Sequence, residues 1–143
     1  MRSIVDQVRA MARRWPKFDV AEQTSDRAVW FGPLIGIEQT YRVMVEYGLP
    51  IDSNGDEMCR RFPVVRVMSP LLEARFDAAE EAPLPHVYFD KRDLTLSPLC
   101  LFDPDQGEWT RNDLVAFTTV PWAADWLACS EGWLPTGRWS GGG

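Results

Sequence analysis

The sequence predicts an α+β fold: an N-terminal helix on a four-stranded antiparallel meander, a long irregular segment, then C-terminal helices. Three observations carry this reading. Apolar residues recur at helical spacing up to Trp15, four strand-like runs with short connections occupy Phe18 to Met68, and helical periodicity returns only after Trp109. With 143 residues, 45% hydrophobic and 25% charged, the chain is expected to form a single domain over 1–143, with 140–143 as a flexible glycine tail.

The elements follow in order. Ser3 and Asp6 are spaced as a capping box, and Ile4, Val5, Val8, Met11, Ala12 and Trp15 form an apolar stripe that Pro16 ends. Strand patterns follow at Phe18–Val20, Ala28–Phe31, Tyr41–Tyr47 and Val64–Met68, with Gly32-Pro33 and Gly36 as punctuation and a turn-rich loop over Leu49–Asp56. Tyr41, Val43, Val45 and Tyr47 alternate with Arg42, Met44 and Glu46, as a strand with one buried face requires. Leu71–Ala82 reads as a short helix or a loop, and the stretch from there to Asp93 lacks a regular pattern, which marks it as functional or mobile. Thr110 and Asp113 are spaced as a second capping box opening a helix through Leu114, Val115 and Phe117. A further helix starts at Thr118-Thr119 before Pro121, and on it Trp122, Trp126, Cys129 and Trp133 share one face, so Cys129 reads as a buried hydrophobe.

Composition removes several function classes. The net charge of −6 and the scattered arginines argue against nucleic acid or an anionic membrane as the main partner. No apolar run is long enough to span a bilayer, and the protein is expected to be cytoplasmic. Cys59, Cys100 and Cys129 are widely spaced and odd in number, which suits reduced thiols better than a disulfide framework. With His86 as the only histidine, a structural zinc site lacks ligands, and a Ser-His-Asp hydrolase would depend on that one residue. No metal or cofactor is expected.

What remains is Cys100. It lies in the apolar run Pro98-Leu99-Cys100-Leu101-Phe102, where a strand-like segment ends in the loop Asp103-Pro104-Asp105-Gln106-Gly107 that closes on Trp109. A thiol held there can face outward without being mobile. Asp90, Asp93, Asp103, Asp105 and Glu108 surround it in sequence, and they read as a solvated loop or as a means of orienting a substrate lysine. Only Lys17 and Lys91 are lysines, against thirteen arginines. Few nucleophilic amines suit a carrier of a reactive acyl group, although a GC-rich genome produces the same bias.

The order of these pieces resembles the ubiquitin-conjugating (E2) fold over nearly the whole chain. Tyr41–Tyr47 followed by Pro50 is similar to the family's third strand and proline turn, and Phe62-Pro63-Val64-Val65-Arg66-Val67 to its fourth strand. Leu99-Cys100-Leu101 is similar to its cysteine motif, and Trp109 to the tryptophan that follows. Leu99–Pro104 with Glu108-Trp109, and the tail Trp126-Leu127 … Glu131–Trp139, resemble more closely the E2-like proteins of short type II antiphage CBASS operons. That resemblance implies a Cys100 thioester with the C-terminal glycine of a cGAS-like nucleotidyltransferase, then transfer to an acceptor lysine, promoting cyclic-nucleotide signalling. It departs at one point: the eukaryotic family's oxyanion-binding Asn is missing, and His86 stands fourteen residues before Cys100, farther than the family's corresponding position. His86 is the candidate helper, donating to the oxyanion or taking a proton from the amine, since an imidazole titrates near neutrality. Two alternatives use other features: an inactive binding module anchored by the tryptophan face, and a modifier whose reactive end is Gly141-Gly142-Gly143.

Overall fold

The computed structural model describes residues 1–51 and 57–141. Helix α1 spans Ile4–Arg14, and the strands are β1 (Asp19–Gln23), β2 (Arg27–Ile35), β3 (Thr40–Gly48) and β4 (Val64–Ser69); α2 covers Thr119–Thr136. The strands form an antiparallel sheet in the order β1-β2-β3-β4, which is the expected meander. Most of the loop expected at Leu49–Asp56 lies outside the described residues.

Helix α1 begins as its sequence dictates. The Ser3 side chain accepts from the Asp6 N–H and the Asp6 carboxylate accepts from the Ser3 N–H, satisfying two otherwise orphaned donors. Its buried side is Ile4, Gln7 and Met11, whereas Val5 and Ala12 are exposed. Gln7 is fully buried because its amide is matched at both ends: Nε2 donates to the Asp113 carbonyl at 2.9 Å, and Oε1 accepts from the Val115 N–H at 2.9 Å. The Trp15 indole N–H adds a 2.7 Å bond to the Ala116 carbonyl, so α1 is pinned to the segment following the cysteine loop.

Strands β2 and β3 pair without interruption from Arg27↔Gly48 to Ile35↔Thr40. Gly32 and Pro33 lie inside β2 rather than ending it. A Cβ on Gly32 would collide with the Phe18 ring, so the ring packs on bare backbone. Pro33 lies beyond Phe31, where β1 stops pairing, and one side of β2 is free of ladder bonds there. Glu46 interrupts the alternation of β3 by being buried, and it is held between Arg27 and Arg66.

After β4 the chain runs without a regular element to a single helical turn at Leu94–Leu96, capped by the Asp93 side chain accepting from the Thr95 N–H. Leu71–Ala82 is therefore loop, with only an Ala79↔Ala82 bridge. Among the described residues, the C-terminal region holds one α-helix, not several. The Asp113 carboxylate does accept from the Thr110 N–H at 2.7 Å, but only turns and one 3-10 turn at Val115–Phe117 follow. Gln7 and Trp15 take the Asp113 and Ala116 carbonyls, which a continuing helix would need. Helix α2 packs Val120, Ala123 and Leu127 into the core and ends at Gly137, whose φ of 75° suits glycine and whose N–H donates to the Trp133 carbonyl. Arg75 from the irregular segment donates to the Leu134 carbonyl at 2.7 Å, capping the same helix end.

Two stability tests follow. Gln7→Leu strands the Val115 N–H and the Asp113 carbonyl, and is expected to cost about 1–3 kcal/mol in urea denaturation. Burial alone would raise the Glu46 pKa, but hydrogen bonds from Arg27 and Arg66 outweigh it and hold the carboxyl below its ordinary range. Its contribution is therefore complete above the ordinary glutamate value of about 4.3 and is lost as the pH falls through the lower folded value. Glu46→Gln should flatten that part of the acid limb of stability against pH.

Candidate functional site

The cysteine segment is positioned by backbone hydrogen bonds and by the buried side chains of Leu99 and Phe102. Leu99 N–H donates to the Val65 carbonyl at 2.9 Å, placing the segment along the free edge of β4. On its other side it forms a short antiparallel bridge, Val87↔Leu99. There Tyr88 N–H donates to the Pro98 carbonyl and Cys100 N–H to the His86 carbonyl, both at 2.8 Å. The irregular segment thus becomes an extra edge that holds the thiol.

His86 is at the centre of this arrangement through its backbone. Its φ of 54° lies in the left-handed region, which costs a non-glycine residue about 1–3 kcal/mol and which histidine visits more readily than most. This turn aims its carbonyl at two donors, Cys100 N–H and the Trp126 indole N–H, the latter at 2.9 Å. The imidazole packs on Trp139 with ring centroids 5.0 Å apart. His86 and Cys100 line one groove of about 380 Å³. Among the described residues, the polar atoms within reach of Cys100 Sγ are the Tyr88 hydroxyl and the Phe102 carbonyl oxygen, each at 3.7 Å.

The three thiols have different surroundings. Cys59 is buried, and burial, with Glu46 and Glu57 adding to it, pushes its pKa up to about 12, so it stays a protonated core residue. Cys100 is half-exposed in the groove. Cys129 is half-exposed as well and lines the same groove, not the core expected from the tryptophan stripe. The stripe does share one face of α2, but that face looks toward the groove, while Val120, Ala123 and Leu127 take the core side.

Three tryptophans, Trp122, Trp126 and Trp139, line the groove together with Gly141 of the tail. Trp122 packs on Phe102 at 5.7 Å and Trp126 on Trp139 at 5.3 Å, so these rings are largely occupied by one another. Trp133 is half-buried against the core cluster. Gly141 also lines the groove, where a Cβ would meet Cys129 Sγ at 2.6 Å. The tail expected to be flexible from 140 onward is thus packed at Gly141; Gly142 and Gly143 lie outside the described residues.

Of the acidic cluster, most carboxylates are engaged in the loop itself. Asp103 accepts from Asp105 N–H, Glu108 from Asp103 N–H, Asp93 from Thr95 N–H, and Asp90 pairs with Arg92. The carboxylate that lines the groove is Asp125, on α2. Its signal was its spacing of three after Trp122 and four before Cys129. Among the described residues, no three His, Cys, Asp or Glu side chains cluster as metal ligands, and no helix is long and apolar enough to cross a membrane. A second cleft, of about 500 Å³, lies under the β2–β3 hairpin. There Glu131 accepts N–H bonds from Ile37, Glu38 and Gln39, so the cleft serves to brace a turn.

An N-terminal helix, a four-stranded meander, a cysteine segment on its last strand and a long C-terminal helix define an E2-like protein. The chain belongs to the type II CBASS E2 protein family of antiphage defence, whose family model matches residues 7–143. Comparison with curated proteins gives no significant match.

Limited alkylation tests the thiol assignment. A maleimide at neutral pH is expected to label Cys100 and Cys129 and to spare Cys59 until the protein unfolds, as read by peptide mass spectrometry.

Proposed function

We propose that this protein is an E2-like acyl carrier whose nucleophile is Cys100. The observation that carries this reading is a half-exposed thiol fixed in a groove by backbone bonds on both sides, in a chain of the E2 family. A thiolate attacks an activated acyl group and also leaves readily, so its thioester can hand a carboxyl to an amine. The acyl donor is the C-terminal glycine of a cGAS-like nucleotidyltransferase, and the acceptor is a lysine amine.

His86 has two duties in this reading. Its backbone carbonyl aligns Cys100, and its imidazole, on the groove wall, is available to the incoming amine. Asp125 offers a carboxylate to an approaching ammonium group from the opposite wall. The inactive binding-module alternative finds less support, because Trp126 is buried and Trp122, Trp133 and Trp139 are half-buried and not free anchors.

The test is an adduct assay with the nucleotidyltransferase on non-reducing gels. Cys100→Ala is expected to abolish a thiol-sensitive adduct with the fold retained, and Cys59→Ala to leave it. His86→Ala should slow transfer by about tenfold to a hundredfold, at or below the usual effect of a general acid or base. Loss of the adduct in Cys59→Ala, with Cys100→Ala unaffected, would overturn the assignment.

A further inference from the structure

The tetrahedral intermediate of acyl transfer places a negative charge on the former carbonyl oxygen, and that charge needs a donor. The atom nearest to supplying one is on a residue that neither the sequence motifs nor the fold singled out. The Tyr88 hydroxyl lies 3.7 Å from Cys100 Sγ, within hydrogen-bonding reach for sulfur. Both backbones are fixed: Tyr88 N–H to the Pro98 carbonyl and Cys100 N–H to the His86 carbonyl place the two residues diagonally across the Val87↔Leu99 bridge. Diagonal neighbours in a ladder are too far apart for short side chains but within reach of a tyrosine.

We propose that Tyr88 is a catalytic residue, its hydroxyl donating a hydrogen bond first to the Cys100 thiolate and then to the oxyanion formed at the thioester carbonyl. This rests on the acyl-carrier reading above. The chemistry balances without a further reagent. The amine nitrogen attacks the carbonyl carbon, a C–N bond forms, and the π pair moves to the oxygen that Tyr88 faces. The pair returns, the C–S bond breaks, Sγ leaves with its electrons as thiolate, and the amine's extra proton passes to the His86 imidazole and from there to water. The oxygen is bonded to the carbon attached to Sγ, so a donor already beside the sulfur needs only a small rotation to reach it.

A donor must keep its proton throughout. Burial is the main reason that the Tyr88 phenol is pushed up to about 12, and the hydrogen bond to Cys100 and the negative field of Asp103 add to it. Tyr88 therefore cannot act as the base, and its O–H persists at any working pH. Its role is distinct from that of His86, whose ring is packed on Trp139.

The experiment loads Cys100 chemically, using a short peptide that ends in glycine and is activated as a mercaptoethanesulfonate thioester. Mass spectrometry places the acyl group, and discharge to hydroxylamine is followed in single turnover. Tyr88→Phe removes one oxygen and keeps the ring. It is expected to unfold like wild type and to load to the same final extent, though more slowly because transthioesterification passes through the same oxyanion, and to discharge about a hundredfold more slowly, the usual effect of losing one oxyanion donor. Replacing Tyr88 by 3,5-difluorotyrosine should restore discharge at neutral pH and lose it on raising the pH, where the more acidic phenol ionises. A purely structural tyrosine would show no such pH dependence. Normal loading with undiminished discharge in Tyr88→Phe overturns the role of Tyr88 alone; wild type that does not load at Cys100 overturns the acyl-carrier reading and this role with it.

Discussion

One backbone carbonyl, that of His86, joins the three parts of the molecule on which the site depends. It accepts from the Cys100 N–H and from the Trp126 indole, linking the irregular segment, the cysteine segment and α2. The carbonyl reaches both donors because His86 adopts a left-handed backbone, a local cost that two hydrogen bonds and the surrounding packing offset. Without it, the thiol would sit at the end of a loop with no regular element. With it, the cysteine segment is held between Val65 on one side and His86 on the other.

The same economy of means shapes the chemistry of the thiols. Cys59 and Cys100 are both in contact with polar groups, yet Cys59 is enclosed beside carboxylates and Cys100 opens to a groove with a phenol at its side. Burial and negative neighbours suppress a thiolate at Cys59, whereas Cys100 is open to a substrate. Trp122 and Trp126 of α2 wall the groove together with Trp139, which follows the helix: Trp139 packs on Trp126 and on His86, and Trp122 packs on Phe102.

What the sequence revealed depended on the range of the interactions. The α1 cap, the meander and the place of Cys100 were legible because capping, alternation and turns are local. Gln7 was not, since a polar residue on a buried face makes sense only once the Asp113 and Val115 backbones are brought beside it. The second capping box was legible but misleading: its hydrogen bond forms, and distant partners then take the carbonyls that a helix would have used. Cys129 was read correctly as part of a stripe and incorrectly as core, because α2 buries two faces and periodicity does not say which faces a groove. Tyr88 and Asp125 came into view only in three dimensions, one from across a bridge and the other from the opposite wall.

The central claim is that Cys100 Sγ carries an acyl group ending in glycine. It is tested most directly by isolating the non-reduced complex of this protein with the proposed cGAS-like nucleotidyltransferase, digesting it, and locating the linked peptide by tandem mass spectrometry. The account predicts a thioester joining Cys100 to the partner's C-terminal glycine. A linkage at Cys129 or Cys59, or a disulfide in place of an acyl bond, would contradict it.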